Sequence, residues 1–202
     1  MKKTVAVIGA VSPFGLAISF GLAAAGHPLL LTDGVDLHLV PLFVSLPLLL
    51  ARIKIRVPHA DVRLVLSERD ASWEADIVVS AVPRKALPAL SRRIEEVVTG
   101  KIVVGLTGWL EEMDDDMVGS DLPVAPGELA SLFPHSKIVN AAVITAPPGV
   151  GEQGRTGKIE QVLISGDDQD ALSGVAELIR DAGFRASKGG SRALDVDCQK
   201  HD

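Results

Sequence analysis

Lys3-Thr4-Val5-Ala6-Val7-Ile8 runs into Gly9-Ala10-Val11-Ser12-Pro13-Phe14-Gly15, and the reading of the fold starts from this junction. The short apolar run is of the kind that forms a strand buried on both faces of a parallel sheet. The two glycines and Pro13 mark a turn that opens a helix, with proline at its start. Leu16 to Ala25 is rich in alanine and leucine, and Gly26 stops it. Leu29-Leu30-Leu31-Thr32 is a second strand, ending at Asp33. Strand, glycine-bearing turn, helix and strand make the first βαβ unit of a doubly wound, mainly parallel α/β sheet. In that fold, known as Rossmann-type and NAD(P)-binding, a helix N-terminus and bare backbone meet the pyrophosphate of a dinucleotide.

The glycine spacing departs from the usual G-x-G-x-x-G, because it runs Gly9-x-x-Ser12-x-x-Gly15. A Cβ at the middle position narrows the approach of a pyrophosphate, although the Ser12 hydroxyl can donate to a phosphate oxygen. Pro13 has no N–H to offer. The alternative is a βαβ unit whose nucleotide site has decayed. A secretory signal competes for the same stretch, since Thr4 to Thr32 contains no Asp, Glu, Lys or Arg and follows Lys2 and Lys3. Gly9, Pro13, Gly15 and Gly21 interrupt it, and cleavage would begin the mature chain in mid-fold. A lone cysteine, Cys198, excludes a disulfide framework and suits a reducing compartment, so the expected location is cytoplasmic.

The 202 residues suit one dinucleotide-binding domain over 1–202, with an irregular acidic insertion at about 107–127 that contains Asp114-Asp115-Asp116. Apolar residues are 47% of the chain, enough for a large core. A net charge of −6 without a basic cluster argues against nucleic acid as a partner. His27, His38, His59, His135 and His201 show no metal-ligand spacing, so each reads as a surface or turn residue and no metal is expected. Strand–helix alternation continues. Leu37 to Lys54 reads as a helix broken by Pro41 and Pro47, and Asp61 to Leu66 and Asp76 to Val82 as strands. A helix from Pro83 to about Thr99 follows, then a strand over Lys101 to Leu106, a short helix over Gly127 to Phe133 and a strand over Lys137 to Val143. Glu160 to Ser165, Asp168 to Asp181 and Phe184 to Ser187 give a last strand, helix and strand. Residues 37–51 carry no formal charge; they are too few and too proline-broken for a membrane span. They read either as a homo-oligomer interface or as plain buried core.

Ligands of an open α/β sheet lie beyond the carboxyl ends of its strands. That places Gly9, Ala10, Val11, Ser12, Pro13, Phe14 and Gly15 around one crevice with Thr32, Asp33, Ala81, Val82 and Pro83. A carboxylate at the end of the second strand accepts hydrogen bonds from the adenosine ribose diol and repels a 2′-phosphate. Asp33 therefore favours NAD over NADP, unless it merely caps the turn. The chain has no tyrosine, which removes a Tyr-Lys proton relay, and it shows no paired acid and base. No catalytic residue is nominated. Hydride transfer to a small redox substrate that needs no protein proton donor suits such a site, with a flavin or deazaflavin as acceptor.

In its motifs the chain resembles the coenzyme F-420-dependent NADP oxidoreductases, which use an 8-hydroxy-5-deazaflavin, and related NAD(P)-binding reductases. The segments that carry the resemblance are Val5 to Ala10 with Gly15, Ala25-Gly26-His27, Asp76 to Val79 leading to Val82-Pro83, and Lys101 to Val104. Ser136 to Ala141 and Ile164 to Asp168 complete the series, over almost the whole chain. The resemblance implies a nucleotide held by Gly9, Ser12, Phe14 and Gly15, with position 33 at the adenosine ribose. It implies a nicotinamide near Ala81, Val82 and Pro83 and close to Ala142 and Val143. It also implies NADP, coenzyme F-420 or a flavin as co-substrate; family members continue past the position of Asp202 into an apolar C-terminal helix that helps shape the substrate site, itself a departure. The chain departs from the family at Ser12, at Asp33-Gly34 in place of a Ser/Thr-Arg pair, and at Ala142-Val143 in place of His or Asn with an aromatic. The reading is an NAD(P)H-binding oxidoreductase that moves hydride to a deazaflavin or flavin-type acceptor without a protein acid or base. The alternative is a catalytically weak or silent dinucleotide-binding module, acting as a redox sensor or as a subunit.

Overall fold

Runs of valine, isoleucine and leucine make the strands, and burial on both faces of the sheet explains why these runs are continuous rather than alternating. The structure is a computed structural model and describes residues 2–34, 45–107, 126–145 and 159–189. Eight strands of the described residues form one sheet. In chain order they are β1 (Val5–Ile8), β2 (Leu29–Thr32), β3 (Val62–Leu64), β4 (Ile77–Ser80), β5 (Ile102–Thr107), β6 (Lys137–Thr145), β7 (Ile159–Ser165) and β8 (Arg185–Lys188). Across the sheet the order is β3-β2-β1-β4-β5-β6-β7-β8. The first six strands are mutually parallel; β7 is antiparallel to β6, and β8 is parallel to β7. The chain leaves β1 toward β2 and β3 and returns to β4 on the other side. The strand order therefore switches direction between β1 and β4, the kind of position at whose carboxyl edge open α/β sheets take ligands.

The helices are α1 (Pro13–Ala24), α2 (Leu46–Arg56), α3 (Glu68–Glu74), α4 (Leu87–Ile94), α5 (Pro126–Leu132) and α6 (Gln169–Asp181). Alternate strand residues face opposite layers, as the two-residue period of a strand requires. Val5, Val7, Leu29, Leu31 and Val79 pack with Ile18 and Leu22 of α1, Leu49 and Ile53 of α2, and Val175 and Ile179 of α6. Ala6, Ile8, Leu30, Val78 and Val103 pack with Ala71 of α3, Leu90 and Ile94 of α4, and Leu129 of α5. At the opposite edge from the crevice, Lys2 Nζ and His27 Nε2 meet Asp181 Oδ2 at 2.8 and 2.9 Å. His27 is buried rather than a surface residue, and this cluster ties the end of α6 to the start of β1.

Several boundaries differ from the sequence reading for local reasons. Pro47 does not break a helix; it lies in the first turn of α2, where its missing N–H would be unpaired anyway. Residues 35–44, including Pro41 and part of the uncharged stretch, lie outside the described residues, as do residues 108–125 of the acidic insertion. The helix expected from Pro83 to Thr99 is a 3-10 turn at Arg84–Ala86 followed by α4, with Pro88 in the first turn of α4. The strand expected over Asp61 to Leu66 keeps only three residues. The helix α3 has no counterpart in the sequence reading. It starts at Ser67, whose Oγ accepts the Asp70 N–H at 3.2 Å.

Candidate functional site

The turn after β1 is built by two glycines with different tasks. Gly9 sits at φ +81°, and a Cβ there would come within 2.7 Å of the Ala81 carbonyl oxygen. Only glycine combines that backbone with that approach. At Gly15 a Cβ would run into the Gly9 carbonyl, so its absence lets α1 settle directly on the turn. Ser12 is the N-cap of α1, and its Oγ accepts the Gly15 N–H at 3.0 Å. Acceptance leaves the hydroxyl proton free to be donated outward. The Gly9 and Ala10 N–H groups both donate to Thr32 O, at 2.9 and 3.0 Å, and bind the turn to the end of β2.

Asp33 follows directly. Its Oδ1 is buried and has no hydrogen-bond partner among the described residues, and burial pushes its carboxyl above the usual carboxylate range. Gly34 lies against the same end of the sheet; a Cβ there would be 2.8 Å from Val82 Cγ1 and 3.1 Å from Ile8 Cγ2. The ends of β1, β2 and β4 thus converge, with Gly9, Ala10, Thr32, Gly34, Ala81 and Val82 in close approach and Asp33 beside them.

The second expected contact is split. Val143 and Phe14 do meet, together with Leu106, Val162 and Phe184, around a wholly apolar cavity of about 10 Å³. That is room for about one water molecule and not for a ring. Ala142 points to the other face of β6, because adjacent strand residues alternate.

On that other face the structure adds residues the sequence reading did not single out. Ser80 and Asn140 are buried, and Ser80 Oγ and Asn140 Oδ1 have no partner among the described residues. A serine ending one apolar run and an asparagine inside another were the available signals. Arg84 reaches Glu128 with Nε at 3.0 Å from Oε1 and Nη2 at 2.7 Å from Oε2, joining the start of the 3-10 turn to α5. Among the described residues no group of three or more His, Cys, Asp or Glu is placed to hold a metal ion. None of the described helices is long and apolar enough to cross a membrane.

No protein-family model matches the chain, nor does any curated protein. Solved structures do match. A hypothetical protein from Sinorhizobium meliloti is 22% identical with a TM-score of 0.56, over 93% of this chain and 84% of that one. The pyrroline carboxylate reductase of Plasmodium falciparum, solved with NADP bound, is 14% identical with a TM-score of 0.61, over 94% of this chain and 58% of that one. An imine reductase variant from Myxococcus stipitatus, in complex with NAD+, is 20% identical with a TM-score of 0.62, over 95% and 56%. The chain thus spans little more than half the length of these two reductases. At such identities the likeness is one of fold. The chain has the doubly wound, mostly parallel, Rossmann-type α/β fold, and its structural neighbours include NAD(P)-binding reductases.

Proposed function

We propose that the chain binds a nicotinamide dinucleotide across the crevice, prefers NADH to NADPH, and passes hydride between it and a deazaflavin or flavin-type acceptor. The observation that carries this reading is Asp33. Its Oδ1, buried beside a glycine turn at the end of β2, has no hydrogen-bond donor among the described residues. The two hydroxyls of an adenosine ribose would supply one, whereas a 2′-phosphate would bring a second negative charge. Ser12 would donate its hydroxyl proton to a phosphate oxygen above the N-terminus of α1. Nicotinamide dinucleotides in the P. falciparum and M. stipitatus structures support the ligand class. In the proposed reaction the C–H bond of the dihydronicotinamide breaks with its electron pair and re-forms on the acceptor ring. The nicotinamide is oxidised, the acceptor is reduced, and no proton from the protein is needed. Positioning of the two rings is then the main catalytic device.

Fluorescence titration with NADH and NADPH tests the assignment. NADH should bind more tightly, and Asp33→Ser should narrow the gap; an unchanged ratio would show that the carboxylate never meets the ribose.

A second reading is a binding module without turnover. The 10 Å³ cavity between Phe14 and Val143 supports it, since it offers an acceptor ring no room. Steady NADH oxidation with any acceptor in a flavin and deazaflavin panel would reject it. We also place the protein in the cytoplasm and assign it self-association through the 37–51 segment. Within the described part, Leu48 is 41% exposed, and Ile55, two turns further along α2, is 78% exposed. Light scattering at micromolar concentration should find a dimer, and a monomer would remove the assignment.

A further inference from the structure

On β5, Gly105 stands in register between Ser80 of β4 and Asn140 of β6. Strand alternation turns all three toward the layer of α4 and α5. Ser80 and Asn140 are 2% and 5% exposed, and neither Ser80 Oγ nor Asn140 Oδ1 has a partner among the described residues. Leu129 of α5 lies over the gap between them. Its Cδ2 is 2.6 Å from the place a Cβ on Gly105 would occupy, and Asn140 Oδ1 is 3.8 Å from the same point. An apolar plug therefore covers a polar pair. Buried polar atoms without partners are costly to keep, and such groups call for a ligand, a water or a functional reason.

The position supplies the reason. Ser80 is the last residue of β4, directly before the Ala81-Val82-Pro83 turn of the crevice. Two strand spacings separate its Cα from that of Asn140 by about 10 Å, and the Asn140 side chain reaches back over Gly105 toward it, so one small group could bridge the two. The charged neighbours, Arg84 and Glu128, neutralise each other, so the spot suits neither an anion nor a cation. An amide and a hydroxyl each offer a donor and an acceptor. Their complement is an uncharged planar group that also offers both, which is a primary carboxamide.

We infer that Ser80 and Asn140, uncovered when Leu129 swings aside, hold the carboxamide of the nicotinamide and so fix the orientation of its ring. The inference rests on the dinucleotide reading above. The test compares three probes: NADH, the reduced 3-acetylpyridine analogue in which a methyl replaces the amide nitrogen, and ADP-ribose, which lacks the ring. Asn140→Leu should weaken NADH about tenfold and leave ADP-ribose unchanged. Ser80→Ala should weaken NADH about threefold. The wild type should favour NADH over the acetylpyridine analogue, and Asn140→Leu should abolish that preference. If leucine prevents folding, Asn140→Ala and Ser80→Ala carry the same comparison. Equal losses for NADH and ADP-ribose, or no loss for either, would overturn the subsite and leave dinucleotide binding standing. If the wild type binds neither NADH nor ADP-ribose, the dinucleotide reading itself falls and takes the subsite with it.

Discussion

Burial raises the carboxyl of Asp33 above its usual value near 3.8, and the sign of the consequence follows from linkage. The folded state holds that proton more tightly than the unfolded chain does. Ionised Asp33 therefore destabilises the ligand-free fold at neutral pH, and the penalty fades as pH falls through the folded-state value toward 3.8. Asp33→Asn should raise the stability of the free protein at pH 7. Thermal melts should show this gain shrinking at acid pH. NADH affinity should fall over the same acid range in the wild type but not in the variant. Lys101 presents the opposite economy of a buried charge. Its ammonium donates to the carbonyls of Ser72 at 2.8 Å and Ala75 at 2.9 Å and also to that of Trp73, closing the C-terminal end of α3. Burial lowers its pKa, with Asp76 opposing the shift. Lys101→Met keeps the stem but frees three carbonyls. It should cost about 1–3 kcal/mol, with amide exchange in α3 accelerated well beyond that in α4. Equal exchange in both helices would deny the capping role.

Helices in this fold sit where small residues let them approach, and α1 shows the dependence most directly. A Cβ on Gly21 would run into the main chain of Ala182, just past the end of α6. Gly21→Ala gains helix propensity yet forces two helices apart, and overpacking should win by about 1–3 kcal/mol. A melting temperature at or above that of the wild type would mean the two helices can part freely. This contact was not legible in the sequence, because Gly21 reads there only as an interruption of an apolar helix and its partner is 161 positions away. The strands were legible, since Val5 to Ile8 or Ile77 to Ser80 are continuous apolar runs of the right length. The helix α3 was not, because Glu68 to Glu74 is polar and short, and its stability comes from Ser67 and from the distant Lys101. The glycine turn was legible as a turn into a helix, whereas the separate tasks of Gly9 and Gly15 depend on the Ala81 and Gly9 carbonyls and were not. The capping role of Ser12 follows from its place before Pro13, but the reading weighed it only as a phosphate donor. Ser80 and Asn140 escaped because a polar residue in an apolar strand acquires meaning only when its neighbours across the sheet are known.

The molecule as a whole is one sheet whose strand order reverses at β1, and the proposed site lies where the two halves diverge. The proposed site draws on both halves: Gly9 to Gly15 and Asp33 from the β1–β2 side, Ala81 to Pro83 from β4. Under the proposed function a dinucleotide across that seam would add contacts that the unfolded chain lacks, and its binding would appear as stability. At one hundred times its dissociation constant NADH should contribute about 2.7 kcal/mol. For a chain of this size that is a rise in melting temperature of about 5–10 °C. The gain should also be local in hydrogen exchange, because protection spreads only as far as the bonds a ligand touches. Amides of residues 9–12, 14–15, 33–34 and 81–82 should slow markedly. Those of β8, at the far edge of the sheet, should slow only as far as global unfolding is suppressed. A melting rise with uniform slowing would mean that NADH binds somewhere other than the seam. Slowing confined to residues 9–12, 14–15 and 33–34 would mean that only the adenosine half is held, and that the β4 side, with Ser80 beneath it, does not receive the nicotinamide.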